Sequence, residues 1–133
     1  MTTGTAPTAN SRQALQDGLW LLGLANGQNR SSQTNLTAHA GGTKAAALQI
    51  AAAVSFVKFD TVATNGDSAL LPQAKAGVCL AVFNNGAATL SLYGRGTDTV
   101  NGSATATNYD LTTKQCAFFF CAEDGEWGAI KTA

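Results

Sequence analysis

The pattern of apolar and polar positions along this chain changes texture near residue 36. From Met1 to about Asn35, Thr, Asn, Ser, Gln and Gly dominate, and no strand-like alternation survives for more than a few positions. Such a composition cannot build a core by itself. One apolar island interrupts it, formed by Leu15, Leu19, Trp20, Leu21, Leu22 and Leu24. Leu15, Leu19 and Leu22 share a helical face, which predicts two short helical turns bounded by the weak helix formers Gly18 and Gly23. Residues 1–35 are therefore read as an N-terminal arm and residues 36–133 as the body.

In the body, short apolar runs are punctuated by Gly, Asn and Asp. Strands are predicted over Leu48–Ala52 and Val54–Ala63, the second with Val54, Phe56, Lys58 and Asp60 on one face and Ser55, Val57, Phe59 and Thr61 on the other. Asn65-Gly66-Asp67 reads as a loop, and Pro72 forbids a central strand continuing through Leu70-Leu71. Val78–Phe83 and Ala88–Tyr93 flank Asn84-Asn85-Gly86-Ala87, the best hairpin signal in the chain. Shorter pieces follow at Asp98–Val100 and Tyr109–Thr112. Cys116–Cys121, apolar at every position, predicts a strand buried on both faces, which turns at Glu123-Asp124-Gly125 into a last strand, Trp127–Lys131. No internal repeat is evident. Many short strands with turn signals between them predict an all-β fold: an antiparallel β-sandwich or jelly-roll-like single domain with an extended N-terminal arm.

Composition sharpens this picture. Hydrophobic residues make up 45% of the 133 and charged residues only 12%, about half the usual charged share. Eight Lys and Arg balance eight Asp and Glu, with no basic run anywhere. Nucleic-acid binding by counterion release is thereby disfavoured, whereas self-association is not opposed by any long-range repulsion. The longest apolar stretch falls far short of a membrane span, and the Thr- and Ala-rich start has no basic region of the kind a signal peptide carries. Cys79, Cys116 and Cys121 are odd in number and lack metal-type spacing. Cys116 and Cys121 point to opposite faces of an extended strand, so all three are expected as buried free thiols of a protein made in a reducing cytoplasm.

Candidate chemistry is sparse. His39 is the only histidine and sits beside Gly41-Gly42; catalysis would require it to meet a thiol or an acid, and a turn or interface role is expected instead. Asp60, Asp67, Asp98 and Asp110 lie at loop edges, where carboxylates hold turn amides, and Glu123, Asp124 and Glu126 read as a solvated turn. Gly94-Arg95-Gly96 lacks the following helix that a phosphate-cradling loop uses, so Arg95 is read as a surface or intersubunit contact. Trp127, Phe118 and Phe120 fall in core-like runs, Trp20 in the arm, and Tyr93 and Tyr109 near strand ends, so no exposed aromatic platform is expected. No catalytic, cofactor or metal site is assigned. The arm island either packs on its own domain or docks on a neighbouring subunit; an arm of this length reaches on the order of 100 Å when extended, so the second option is geometrically open.

The order and spacing of several segments resemble a group of small proteins encoded among the head genes of tailed bacteriophages. The resemblance lies in Leu36-Thr37-Ala38-His39-Ala40-Gly41-Gly42, Asp67-Ser68, Leu71-Pro72, Ala76-Gly77 ahead of a strand ending Asn84-Asn85-Gly86, Asp98-Thr99-Val100-Asn101-Gly102, Phe119-Phe120-Cys121 and Gly125-Glu126-Trp127. It covers roughly the last hundred residues. It implies a capsid decoration or cementing protein on the virion surface, a homodimer or homotrimer bridging neighbouring major capsid protein subunits, with no active site. Similar modules also occur in fibre and tail components, so a glycan- or receptor-binding β module stands as the alternative.

Overall fold

The computed structural model describes residues 31–133, and the island from Leu15 to Leu24 lies outside the described residues. Ten strands follow in chain order: β1 (Ser32–Thr37), β2 (Leu48–Gln49), β3 (Phe56–Thr61), β4 (Asp67–Leu70), β5 (Cys79–Asn84), β6 (Leu90–Tyr93), β7 (Thr99–Val100), β8 (Tyr109–Leu111), β9 (Cys116–Glu123) and β10 (Glu126–Lys131). A single 3-10 turn, Lys44–Ala46, precedes β2. The all-β class holds. Pairing begins at Ser32, inside the segment read from sequence as arm, because the bulge at Asn35 (φ 59) lets a polar strand follow β3 while its N–H donates to Asp60 Oδ2 at 3.0 Å.

The arrangement is not the antiparallel one expected. A six-stranded sheet has the order β1-β3-β5-β9-β10-β7 and a four-stranded sheet the order β2-β4-β6-β8. From β1 to β8 the chain alternates between the sheets at every step, and β1, β3 and β5 run parallel in one while β2, β4 and β6 run parallel in the other. Ser32 lies beside Phe56, and Phe56 beside Ala81, so one winding takes roughly 24 residues, in the range of a structural repeat. The path is solenoid-like. It ends where β8 pairs antiparallel to β6 and the β9–β10 hairpin closes antiparallel on β5. The structural repeat leaves no sequence repeat because each corner solves its hydrogen bonding with different residues.

Those corners explain the Asn, Asp and Gly punctuation. Asn84-Asn85-Gly86-Ala87 does not close a hairpin: β5 and β6 belong to different sheets, and the segment carries the chain from one to the other. Asn84 is fully buried; its Nδ2 donates to Ala88 O and Leu111 O, both at 2.8 Å, and its Oδ1 receives Gly86 N–H at 2.9 Å. A Cβ on Gly86 would lie 2.5 Å from the Val62 nitrogen, so only glycine lets adjacent windings approach there. Asp67 serves the preceding corner by accepting the Thr64 hydroxyl (2.6 Å), Thr64 N–H (3.0 Å), Ala63 N–H (2.9 Å) and Gly41 N–H (3.3 Å). The Thr64 hydrogen bonds foremost hold its pKa down to about 2. Asp98 and Asp124 likewise receive the Ala74 and Ala76 amides at 2.7 and 2.9 Å.

The core lies between the sheets. Val57, Phe59, Leu80, Val82, Ala117, Phe119 and Trp127 face inward from the six-stranded sheet, and Ala69, Leu90, Leu92 and Leu111 from the other. Phe119 meets Tyr109 and Trp127 edge-on, with ring centroids 5.5 and 6.2 Å away, and Trp127 Nε1 donates to Pro72 O at 3.3 Å.

Candidate functional site

The two sheets treat their outer faces in opposite ways. Every residue of β4 and β6 is buried on both sides. The segment following β1 roofs this sheet: His39 exchanges backbone hydrogen bonds with Ser68 (2.9 and 2.8 Å), Ser68 Oγ donates to Gly41 O (2.8 Å), and the Tyr93 hydroxyl donates to Gly42 O (2.5 Å). Ala47, Leu70 and Tyr93 form a small apolar cluster there. The middle of the six-stranded sheet has no such cover among the described residues.

Register fixes what that bare face presents. Phe56 lies beside Ala81, Ala81 beside Phe118, and Phe118 beside Ile130, giving one apolar row across four strands. A second row runs Cys79, Phe120, Gly128, and a third Lys58, Phe83, Cys116. Phe56, Phe118, Phe120 and Ile130 are 56%, 55%, 45% and 62% exposed. This corrects the reading of Cys116–Cys121 as buried on both faces: Ala117, Phe119 and Cys121 enter the core, while Phe118 and Phe120 point outward. It also supplies the aromatic platform that the sequence reading did not anticipate. Strand alternation alone places Phe118 and Phe120 together; what sequence reasoning lacked was which face the second sheet covers.

The face has relief and polarity. A hollow of about 160 Å³ opens over Ala81, walled by Phe56, Phe83, Lys58 and Cys116 and by Gln33 of β1. A second notch, about 240 Å³, is lined by Phe120, Ala122, Glu123, Glu126 and Gly128. The Phe120 ring lies across β10 so closely that a Cβ on Gly128 would meet its Cε2 at 2.3 Å. Lys58 sits 3.0 Å from Asp60 at one corner and keeps 42% of its side chain exposed. Glu123 and Glu126 are exposed at the diagonally opposite corner.

The other candidates scatter. His39 lies along β4 of the four-stranded sheet, whereas all three thiols belong to the six-stranded sheet. The thiols are free and Cys121 is buried, as expected, but Cys116 is half-buried and Cys79 exposed. Burial raises the pKa of Cys116; burial first and then the Asp124 charge raise that of Cys121. Arg95, in the turn between β6 and β7, packs inward: Nη2 approaches Ile50 O at 3.4 Å and Nε is buried without a partner. Neither His39 nor Arg95 belongs to the outward rows of the six-stranded sheet. Glu123, Asp124 and Glu126 form the β9–β10 turn, with Asp124 3.5 Å from Lys75. Among the described residues no three His, Cys, Asp or Glu side chains converge as a metal site requires. No helix among them is long and apolar enough to cross a membrane. No protein-family model matches the chain, and no curated protein matches it at a significant level.

Proposed function

We propose that the protein is a non-enzymatic structural module that works by joining a larger assembly. Following the resemblance of its last hundred residues, it decorates the outside of a phage capsid and cements neighbouring major capsid protein subunits. The observation that supports this reading is the bare apolar face of the six-stranded sheet, where Phe56, Phe118, Phe120 and Ile130 stand in solvent. Contiguous apolar surface of this kind marks contact sites rather than free protein surface. A small body with a contact face and zero net charge stabilises a shell by repetition, since each copy adds its own interface across the lattice. We read the body that does this as a short solenoid-like stack in place of the jelly roll expected from sequence. The test compares shells with and without the protein under heating: decorated shells burst at a higher temperature, and equal burst temperatures refute cementing.

A second reading, a glycan- or receptor-binding module on a fibre or tail, draws support from the same three exposed rings. Tyr93 is buried with its hydroxyl on Gly42. Stacking would then fall to the phenylalanines. Binding on a glycan array that is lost in Phe118→Ala would favour this reading over the first.

A further inference from the structure

We propose that the outer face of the six-stranded sheet is a self-association surface, occupied by the same face of a second copy of this chain across a two-fold axis lying in the interface. The proposal rests on the reading of that face as a contact surface and names its occupant. An isologous contact requires one patch to be complementary to itself, each feature meeting its counterpart when the patch is turned over. Two independent features of this face satisfy that condition about the same axis.

The first is charge. Lys58 stands at one corner and Glu126, with Glu123 beside it, at the corner diagonally opposite, while the outward positions between them, Cys79, Ala81, Phe83, Cys116, Phe118 and Phe120, carry no charge. With strands about 4.8 Å apart and successive outward positions about 6.8 Å apart, the midpoint between Lys58 and Glu126 falls among Ala81, Phe118, Phe120 and Cys79. A two-fold axis through that point, perpendicular to the Lys58–Glu126 diagonal, sets Lys58 of each copy over the Glu123–Glu126 notch of the other. The ammonium has three donors, and its ion pair with Asp60 leaves it able to donate to new partners.

The second feature is shape. The Phe120 ring is the knob and the hollow over Ala81 is the hole. Their midpoint in the ladder coincides with the midpoint of Lys58 and Glu126, so the same rotation that pairs the charges seats each Phe120 over the other copy's Ala81. Phe118 lies almost on the axis and meets its own counterpart. A face about 15 by 20 Å, plus its rim, falls below the roughly 800 Å² per partner of a standard interface. The dimer is accordingly weak and concentration-dependent in solution, and strengthened where a lattice holds copies close.

Sedimentation velocity of the full-length protein from about 1 to 200 µM tests this, and the wild type is expected to pass from monomer to dimer. Lys58→Glu and Glu126→Lys should each weaken association about tenfold, and the double charge swap should recover it to within about threefold of wild type. Phe120→Ala should weaken it by at least about tenfold. Alkylation of Cys79, which lies beside the axis, should slow with rising wild-type concentration but not in Phe120→Ala. Circular dichroism melts establish that each variant is folded; Cys79 protection in the wild type needs no variant at all. A wild type that stays monomeric throughout, a dimer indifferent to all three single substitutions, or a double swap no better than its parents overturns the proposal. Shell stabilisation is measured separately: its absence with a dimeric wild type overturns the cementing role alone, and its presence with a monomeric wild type overturns the dimer alone.

Discussion

Replacing Asn84 by Ala distinguishes a buried corner from the solvated hairpin turn that Asn84-Asn85-Gly86 suggests. The side chain is fully buried and makes three hydrogen bonds to main chain, two donated at 2.8 Å and one accepted at 2.9 Å. Each such bond contributes about 1 kcal/mol net, and a buried group left without a partner costs about 1–3 kcal/mol. Water entering the vacated polar space would offset part of that. Asn84→Ala is therefore expected to lower the unfolding free energy by about 3–4 kcal/mol, a large share of the roughly 5–15 kcal/mol of a typical domain. A residue in a solvated turn would cost about 0.5 kcal/mol or less. Asn84→Asp keeps the acceptor for Gly86 but turns a carboxylate oxygen toward the Ala88 and Leu111 carbonyls, so at neutral pH it should be no milder than Ala. Urea unfolding at constant m-value reads both. Losses under about 1 kcal/mol for the two variants together would refute the corner assignment.

Three further outcomes follow from the same geometry. Gly86→Ala forces a Cβ to within 2.5 Å of the Val62 backbone nitrogen, and since backbone cannot move aside as a side chain does, a loss of at least about 2 kcal/mol is expected by urea unfolding. Asp67 titrates in the folded protein near 2, below its unfolded value. Its contribution is thus complete above about pH 4 and fades as pH falls toward 2; Asp60 and Asp124, also lowered, act with the same sign. The thermal midpoint should drop across that window, and Asp67→Asn should flatten the drop; an unchanged pH profile in Asp67→Asn would contradict the assignment. In dilute native protein a thiol reagent should modify Cys79 quickly, Cys116 slowly and Cys121 only on unfolding, as their exposures dictate; mass spectrometry of the labelled sites would expose any other order.

Much of the local structure was legible, and the reason is period-two burial. Val57 and Phe59 turn inward and Phe56 and Lys58 outward as alternation demands, and Glu123-Asp124-Gly125 does turn β9 into β10. The polar strand β1 and the short β4 were not found, since SQTNLT and DSAL carry no apolar alternation; parallel neighbours and the roof over the second sheet hold them instead. Pairing partners were the larger loss. An Asn-Gly between two apolar runs signals a hairpin only if the side chain stays in solvent, and nothing local in Asn84-Asn85-Gly86 says that Leu111, 27 residues on, supplies a carbonyl for its amide. The candidate site was half legible for the same reason: Phe118 and Phe120 share a face by alternation, but whether anything covers it depends on where residues 39–47 go.

That choice of face is what makes the bare surface informative. The roofed sheet hides polar groups on its outer side, with Ser68 donating to Gly41 O and Ser91 to Asp110, while the open sheet displays Phe56, Phe118, Phe120 and Ile130. For an isolated monomer this allocation is unfavourable, because covering a large apolar side chain contributes about 1.5–3 kcal/mol and covering a serine contributes little. Four half-exposed rings and branches thus leave several kcal/mol unrealised in the isolated body, on strands whose inward residues already fill the core. The core does not require phenylalanine at 118 or 120, since those positions never enter it. We infer that the requirement lies outside the body: replacing both by Thr, which suits an exposed strand, should cost about 1–3 kcal/mol of unfolding free energy for the apolar area the half-covered rings already bury while abolishing association; a loss well beyond that would mean that the rings serve the fold and not a partner.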